Sequence, residues 1–266
     1  MYAEKASQAS LNLPGLGFIH TAPALRPAAT ELVQTHPLRP LLDGQFTRDG
    51  FPHWNLKKIG HGTAIGLGAV GHRFSRGEMI QLRNSVITFR QPAEALVLER
   101  PSDTTVVRPE DEVIFAAAAH FNPMEAGAYT LTDVDNEGLQ GLLKHLGRCI
   151  FLVQGVLGSL EIQCVQQALP EHTNFSQVPQ AAETFTNVVT TMVGLYLPEV
   201  DPKKNVPGPH LHALVHSNPA NAAIDSVIEA MNFSNDGIHG GGHVRGYSAT
   251  GFLWYQPVEE IKILRS

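Results

Sequence analysis

The chain has 266 residues, of which 43% are hydrophobic and 17% charged, so it is long enough for one large or two smaller domains and too apolar for a disordered chain. It carries 19 Lys and Arg against 25 Asp and Glu, a net charge of -6 with no basic run, which excludes a nucleic-acid partner. No apolar run approaches the roughly 18 residues of a membrane span, and Pro14 interrupts any signal-peptide core. We therefore expect a cytoplasmic protein.

Residues 1–38 are rich in Ala, Pro and Leu without a sustained period, which predicts an N-terminal arm. Farther along the chain, alternating or continuous apolar runs bounded by Gly and Pro predict short strands. These runs are Met79–Leu82, Ser85–Arg90, Val113–Ala119, Ile150–Val156, Leu160–Gln166 and Thr190–Leu197.

Leucines spaced three and four apart predict a helix over Asp135–Arg148, with Gly147 near its end. A second, short amphipathic helix is predicted over Pro219–Met231. Because helices and strands do not alternate regularly, an α+β fold is favoured over a doubly wound parallel sheet. A polar, turn-rich stretch around 170–182 predicts a boundary between an N-terminal β-sheet domain with one helix, 39–175, and a C-terminal β-rich metal-binding domain, 176–266.

Thirteen histidines are many for this length, and some of them are clustered. His210 and His212 lie two apart in Pro-Gly-Pro-His-Leu-His, and on a strand such side chains share a face at roughly 6 to 7 Å, close enough to bind one metal ion. His239-Gly-Gly-Gly-His243 follows, and three glycines let a distant segment approach closely. Spacing leaves the third ligand open among His216, His239 and His243. Such pairs are also common as polar strand residues facing solvent.

Several motifs in chain order resemble the alpha-acetolactate decarboxylase family. The two histidine motifs are the most specific, and Leu-Leu-Asp-Gly (41–44), Gly-His-Gly-Thr (60–63), Gly-Glu-Met (77–79) and Phe-Asn-Pro (121–123) precede them. The similarity spans about residues 40–250. It implies an α+β protein of two mixed or antiparallel β-sheet domains with few helices, a metal pocket near their junction, and a homodimer.

The resemblance also implies roles for individual residues. His210, His212 and His243 would be the ligands of one Zn²⁺ ion per chain, and Glu78 would be the acidic residue that manages a proton. Thr63 would line the pocket, and Glu259 or Glu260 would match a C-terminal glutamate of the family.

Two features depart from the family pattern. The family carries an Arg that is expected to hold the substrate carboxylate, and the matching position here is Gly155. Gln154, Arg148 or Arg245 are candidates to compensate, although an amide lacks the charge and the forked geometry of a guanidinium. The interval between His212 and His243 is also longer than in the family.

Together these features predict a metalloenzyme that decarboxylates a β-keto or hydroxy-keto acid, with Zn²⁺ as Lewis acid, Glu78, Thr63 and Glu259 as catalytic residues, and Gln154 and Arg245 as substrate-binding residues. The alternative is a repurposed isomerase, cyclase or dehydratase of specialised metabolism. A non-catalytic module with a structural metal is a third hypothesis, disfavoured because structural sites usually have four protein ligands.

Overall fold

The structure is a computed structural model that describes residues 20–21, 27–43, 64–70, 77–83, 85–91, 94–98, 113–165, 177–198, 207–216 and 238–264. Its elements, in chain order, are β1 (His20–Thr21), β2 (Thr30–Gln34), α1 (Leu38–Leu42), β3 (Ala64–Val70), β4 (Gly77–Leu82), β5 (Ser85–Gln91), β6 (Glu94–Leu98), β7 (Val113–His120), β8 (Gly127–Asp135), α2 (Asn136–Leu146), β9 (Cys149–Val165), β10 (Gln180–Leu197), β11 (Gly208–His216) and β12 (Ile238–Ile263). The expectation of a largely antiparallel β protein with few helices is confirmed for these residues.

The strands form one sheet that closes on itself at one end. Its order is β11-β10-β9-β12-β2-β7-β3-β4-β5-β6, with β11 also paired to β12 and β8 paired to β1 and β12. Strands β9, β10, β11 and β12 therefore make a barrel-like ring in which each strand has two neighbours. The long strand β12 takes part in this ring and then continues as the parallel partner of β2, which joins the ring to the rest of the sheet.

Helix α2 forms where the leucine periodicity predicts it. Leu139, Leu142 and Leu143 are buried, so one face of the helix packs on the sheet. The Asp135 side chain accepts a hydrogen bond of 2.9 Å from the backbone N–H of Gly138 and caps the first turn. Gly147, at φ 75°, ends the helix and donates its N–H to the carbonyl of Leu143.

Part of the segment predicted as an N-terminal arm, 1–38, forms a strand that the sequence did not predict. Thr30–Gln34 is strand β2, which lies between β12 and β7, and Leu32 is fully buried. Its partners are about ninety or more than two hundred residues away in the chain. A five-residue strand with such distant partners has too short a pattern to be recognised from periodicity.

The other predicted strands are present, some of them longer than predicted. Ile150–Val156 and Leu160–Gln166 belong largely to one strand, β9, and Thr190–Leu197 is the last part of β10. The predicted helix over Pro219–Met231 and the domain boundary at 175/176 lie outside the described residues. The domain boundary stays a prediction. Strands β9 and β10, which lie on either side of it in the chain, pair with each other along their length, from Cys149 opposite Tyr196 to Val165 opposite Gln180. No helix among the described residues is long and apolar enough to span a membrane.

Candidate metal centre

Three imidazole rings meet where β11 lies beside β12. His210 and His212 are two residues apart on β11 and therefore lie on the same face of this strand. His212 lies directly opposite His243 in the β11–β12 register. The ring centroids are 5.1 Å apart for His210 and His212, 5.2 Å for His210 and His243, and 5.7 Å for His212 and His243. The structure thus brings together two segments that are thirty-one residues apart in the chain.

All three rings are neutral at pH 7. Burial lowers the pKa of His210 to about 4. Burial, the nearby His210 ring and the positive charge of Arg245 lower the pKa of His243 to about 3. The pKa of His212 lies well below its usual value, chiefly because of burial. Neutral imidazole is the form that binds a metal ion, so protons do not compete for these nitrogens at physiological pH.

The hydrogen bond of His212 determines which of its nitrogens is available. Its Nδ1 lies 2.8 Å from the backbone carbonyl oxygen of Met79 on β4. Because a carbonyl can only accept, Nδ1 carries the proton and the lone pair is on Nε2. A histidine that donates one N–H to a carbonyl while its other nitrogen is free has the typical arrangement of a metal ligand.

Glu78 contacts the same group of residues from β4. It is 4% exposed, and its Oε2 accepts a hydrogen bond of 2.7 Å from the backbone N–H of His243. Burial raises the pKa of Glu78 to about 8, and the hydrogen bond from His243 offsets only part of that effect. The shift favours the protonated form of the carboxyl group, which lies against the backbone of His243.

The glycine run before His243 is explained by close packing. A Cβ on Gly241 would overlap the ring of Phe89 from β5 and the carbonyl of Ala213, and a Cβ on Gly242, at φ 147°, would overlap the Sγ of Cys164. The Cys164 thiol donates to the carbonyl of Gly241 at 3.1 Å. Only glycine lets β12 come this close to β5, β9 and β11, and this approach places His243 beside Glu78.

The separations of the rings fit a tetrahedral three-histidine site. Three nitrogens about 2.05 Å from one zinc ion place the ring centres about 5.2 Å apart, because each centre lies about 1.1 Å beyond its nitrogen. As the side chains stand, however, no group of three or more His, Cys, Asp or Glu residues in the described part of the chain could hold a metal ion. The side chains as described therefore do not form a metal site, and the ring separations, the neutral rings and the Met79 hydrogen bond are the features that favour one.

Comparison with known proteins identifies the family. The family model for alpha-acetolactate decarboxylase matches residues 32–223. The chain belongs to the alpha-acetolactate decarboxylase family. His210 and His212 lie inside the matched segment and His243 lies beyond it, so the inclusion of His243 depends on the geometry described above. No curated protein sequence matches the chain significantly.

Solved structures show the same fold. The alpha-acetolactate decarboxylase of Bacillus subtilis strain 168 superposes with a TM-score of 0.64 at 17% identity, and the acetolactate decarboxylase of Bacillus subtilis subspecies spizizenii with 0.62 at 19%. A Staphylococcus aureus protein of unknown function similar to alpha-acetolactate decarboxylase has a TM-score of 0.64 at 16% identity. Each comparison covers 88% of both chains.

Gly155, where the family arginine is expected, has no room for a side chain. A Cβ there would overlap the carbonyl of Thr250 and lie 2.8 Å from the Cα of Gly251, which is its register partner on β12. Strand alternation also directs this position away from the face that carries His212. Gln154, one residue earlier, shares the face of His212, because Gln154 pairs with Thr191 on β10 and Thr191 pairs with Leu214 on β11.

We expect Gly155→Ala to destabilise the protein by about 2 to 4 kcal/mol, since the new methyl group meets backbone that cannot move independently. Gly158→Ala on the same strand is the matched control, because the nearest atom to its Cβ, Ser248 Oγ, is 3.9 Å away. Urea unfolding of both variants measures the difference. Equal stability of the two variants would contradict the closed packing at Gly155.

His216 belongs to a separate polar group on the His212 face. Its Nε2 lies 2.9 Å from Thr191 Oγ1, and Thr191 also hydrogen bonds to Gln154. Burial lowers the pKa of His216 to about 4. Among the candidates for the third ligand, His243 is the one found in the three-ring cluster. The side chain of His239 lies outside the described residues.

The lowered pKa of His216 predicts acid sensitivity. Between pH 6.5 and 4 the unfolded state binds more protons than the folded state, so stability falls as pH falls through this window, by about 2 kcal/mol from pH 7.5 to 5 for this one residue. His216→Gln keeps an amide donor for Thr191 and cannot titrate. We expect urea unfolding of the metal-free protein to lose less stability at pH 5 in this variant than in the wild type, whereas the exposed control His145→Gln should change nothing.

The remaining candidate residues, where the structure describes them, differ in their position relative to the three histidines. Thr63 lies outside the described residues. Glu259 and Glu260 are exposed on the last part of β12, and β2, β7 and β3 separate that part from β4, so the structure does not bring them to the histidines. Arg148 donates to the backbone carbonyl of Glu259 at 3.2 Å. Arg245 is exposed two residues after His243, close enough for its charge to lower the pKa of His243.

The sequence did not indicate three contributors to the site. Met79 acts through its backbone carbonyl, which no side-chain pattern reveals. Phe89 and Cys164 act by packing on glycines of a distant strand. The sequence signal related to these contacts was the glycine run at 240–242, because such a run indicates close packing against a neighbouring segment.

Proposed function

We propose that this protein is a metal-dependent decarboxylase of a small 2-hydroxy-3-keto acid of the acetolactate type. The observation that carries the proposal is the cluster of three imidazole rings, in which the backbone N–H of His243 is hydrogen bonded to the buried carboxyl group of Glu78. Family membership supports the reaction class. The small-molecule substrate fits the mildly acidic chain without a basic run.

His210, His212 and His243 would hold one Zn²⁺ ion, which is the metal that a set of imidazole ligands with an open position suits best. When bound, the ion supplies a Lewis acid for the hydroxyl and keto oxygens of the substrate and for the negative charge that develops as carbon dioxide departs. The backbone carbonyl of Met79 keeps His212 in the tautomer that presents Nε2. Glu78 anchors the backbone of His243.

Glu78 would also supply the proton that the reaction consumes. When the bond to the carboxylate carbon breaks, its electron pair stays on the neighbouring carbon, and that carbon must be protonated to give the hydroxyketone. Oε2 of Glu78 accepts from the N–H of His243, so the proton that is donated would be carried by Oε1. Burial raises the pKa of Glu78 to about 8 when no metal is bound, and the charge of a bound ion would lower that pKa. A carboxyl group that keeps its proton in this buried environment would donate it to the carbon, after which water would reprotonate the carboxylate.

Among the residues that the structure describes, Arg245 is the cation that we propose for the substrate carboxylate. Its charge already acts on His243, and its exposed guanidinium can form two parallel hydrogen bonds to a carboxylate. Gln154 contributes an amide on the His212 face, about 12 Å from His212 between Cα atoms if the strands have ordinary spacing. Gln154 is therefore proposed to contact the end of the substrate distant from the metal.

A second candidate function follows from the closed packing at Gly155. Because Gly155 has no side chain, the arginine that is expected to bind the substrate carboxylate in this family is missing at this position. A substrate without a carboxylate could therefore bind at the same site. The second candidate is an isomerase, cyclase or dehydratase that keeps the Lewis acid and does not release carbon dioxide.

Incubation of the zinc-loaded protein with acetolactate separates these two functions. Release of carbon dioxide at a rate typical of enzymes, with kcat of about 1 s⁻¹ or more, supports the decarboxylase. If the metal is bound at one ion per chain and no carbon dioxide appears, the second candidate is favoured. Absence of stoichiometric metal would contradict both. The homodimer and the cytoplasmic location remain proposals, and analytical ultracentrifugation tests the first.

A further inference from the structure

Arg245 lies in an irregular part of β12. In the pairing with β9, His243 is opposite Gln163, Val244 is opposite Ile162, and Gly246 is opposite Glu161, so Arg245 is an extra residue without a partner in the register. A β-bulge of this kind changes the direction of one side chain and interrupts the ladder of hydrogen bonds. The backbone at Arg245 therefore needs hydrogen bonds from another element to adopt a single conformation.

The side chain of Asn136 supplies this support. Its Nδ2 donates to the carbonyl of Arg245 at 3.0 Å, and its Oδ1 accepts from the N–H of Tyr247 at 3.2 Å. One donor and one acceptor on a planar amide reproduce what a neighbouring strand residue would offer to alternate residues of β12. The backbone groups of Arg245 and Tyr247 thus pair with a side chain instead of a neighbouring strand.

Asn136 is itself held firmly. It is the first residue of α2, directly after the capping Asp135, and α2 is anchored by its buried leucines. A Cβ on Gly246 would come no closer than 3.8 Å to any neighbour, so steric crowding does not hold the bulge. The hydrogen bond that Asn136 donates to Arg245 and the one that it accepts from Tyr247 link helix α2 to the segment that carries Arg245.

We propose that Asn136 is a positioning residue, which holds the bulge of β12 so that Arg245 stays beside His243 and binds the carboxylate of the substrate. This inference rests on the proposed function, because it requires Arg245 to bind a carboxylate. Asn136 touches no substrate and acts only through Arg245.

Asn136→Ala tests the inference in the zinc-loaded full chain. We expect KM for acetolactate to rise about tenfold with kcat changed less than about threefold, because a mobile Arg245 weakens binding and leaves the proton transfer intact. Asn136→Asp keeps the acceptor for Tyr247 but sets a carboxylate oxygen against the carbonyl of Arg245, so its KM should rise at least as much as that of Asn136→Ala. The control is Ser248→Ala, which removes a 2.7 Å hydrogen bond between β12 and Asp133 and should leave KM unchanged.

A double-mutant cycle decides whether Asn136 acts through Arg245. Arg245→Ala should also raise KM, and Asn136→Ala added to it should have no further effect. Additive effects, or an unchanged KM in Asn136→Ala, would overturn the proposal, and so would a loss of bound zinc in that variant.

A second arm keeps the inference testable if acetolactate is not the substrate. Pyruvate serves as a carboxylate probe, and its affinity for the zinc-loaded protein is measured by calorimetry. Weaker binding in Asn136→Ala and in Arg245→Ala, without a further loss in the double variant, supports the inference even when no carbon dioxide is released. Equal pyruvate affinity in Asn136→Ala and the wild type overturns it.

Discussion

Substitution of His212 by alanine is expected to abolish stoichiometric metal binding and to lower carbon dioxide release by at least about a thousandfold. His212 is 2% exposed, its ring contacts both other rings of the cluster, and its Nδ1 is held by the Met79 carbonyl. Its removal deletes a proposed ligand whose tautomer is fixed by a hydrogen bond. Two imidazoles bind zinc far more weakly than three.

The measurement is metal content after dialysis together with the shift of the thermal midpoint on adding zinc. The wild type should retain about one ion per chain and be stabilised by zinc, because a ligand that binds only the folded state raises its stability. His212→Ala should show neither effect. His145→Ala is the control, since this histidine is exposed on α2, and it should behave as the wild type. Full zinc content in His212→Ala would contradict the proposed centre.

Substitution of Glu78 by glutamine is expected to lower kcat by about a hundredfold to ten thousandfold while metal content and fold are retained. The amide oxygen of glutamine can still accept the hydrogen bond from the N–H of His243, so the backbone of the ligand should stay in place. What the variant loses is the acidic proton. This separates the role of Glu78 in proton transfer from its role in anchoring His243.

Glu183→Gln provides the matched control, because Glu183 is an exposed glutamate on β10 whose substitution should leave kcat unchanged. Metal analysis, circular dichroism and kcat are measured on both variants. If Glu78→Gln retains wild-type kcat, Glu78 only anchors His243 and another group donates the proton. If the variant loses zinc, the anchoring role is larger than the hydrogen bond suggests.

Elements whose signal is local were predictable from the sequence. Helix α2 has its cap, its leucine stripe and its terminal glycine within thirteen residues, and strand β7 is one apolar run. Strand β2 was missed because five residues carry little pattern and its stability comes from β12 and β7 on either side. Strand β9 looked like two strands for a different reason, because Gly155 and Gly158 interrupt its apolar pattern.

The histidines of the candidate site were predictable as a group and not as a set of three. The spacing of His210 and His212 indicated a shared strand face, and the resemblance to the family pointed to His243 and Glu78. Spacing alone could not choose His243 over His216, because both are compatible with a strand. The β11–β12 register decides this, placing His243 opposite His212 and His216 beside Thr191.

By itself, the sequence determined the composition class, the main strands, helix α2 and the residue types available for chemistry, because each of these depends on neighbours within one segment. The tertiary structure alone decided which histidines meet, that Glu78 is buried against the backbone of His243, and that β12 closes the position of Gly155. These outcomes depend on strand register and on backbone approach between segments far apart in the chain. Hydrophobic periodicity carries no information about either.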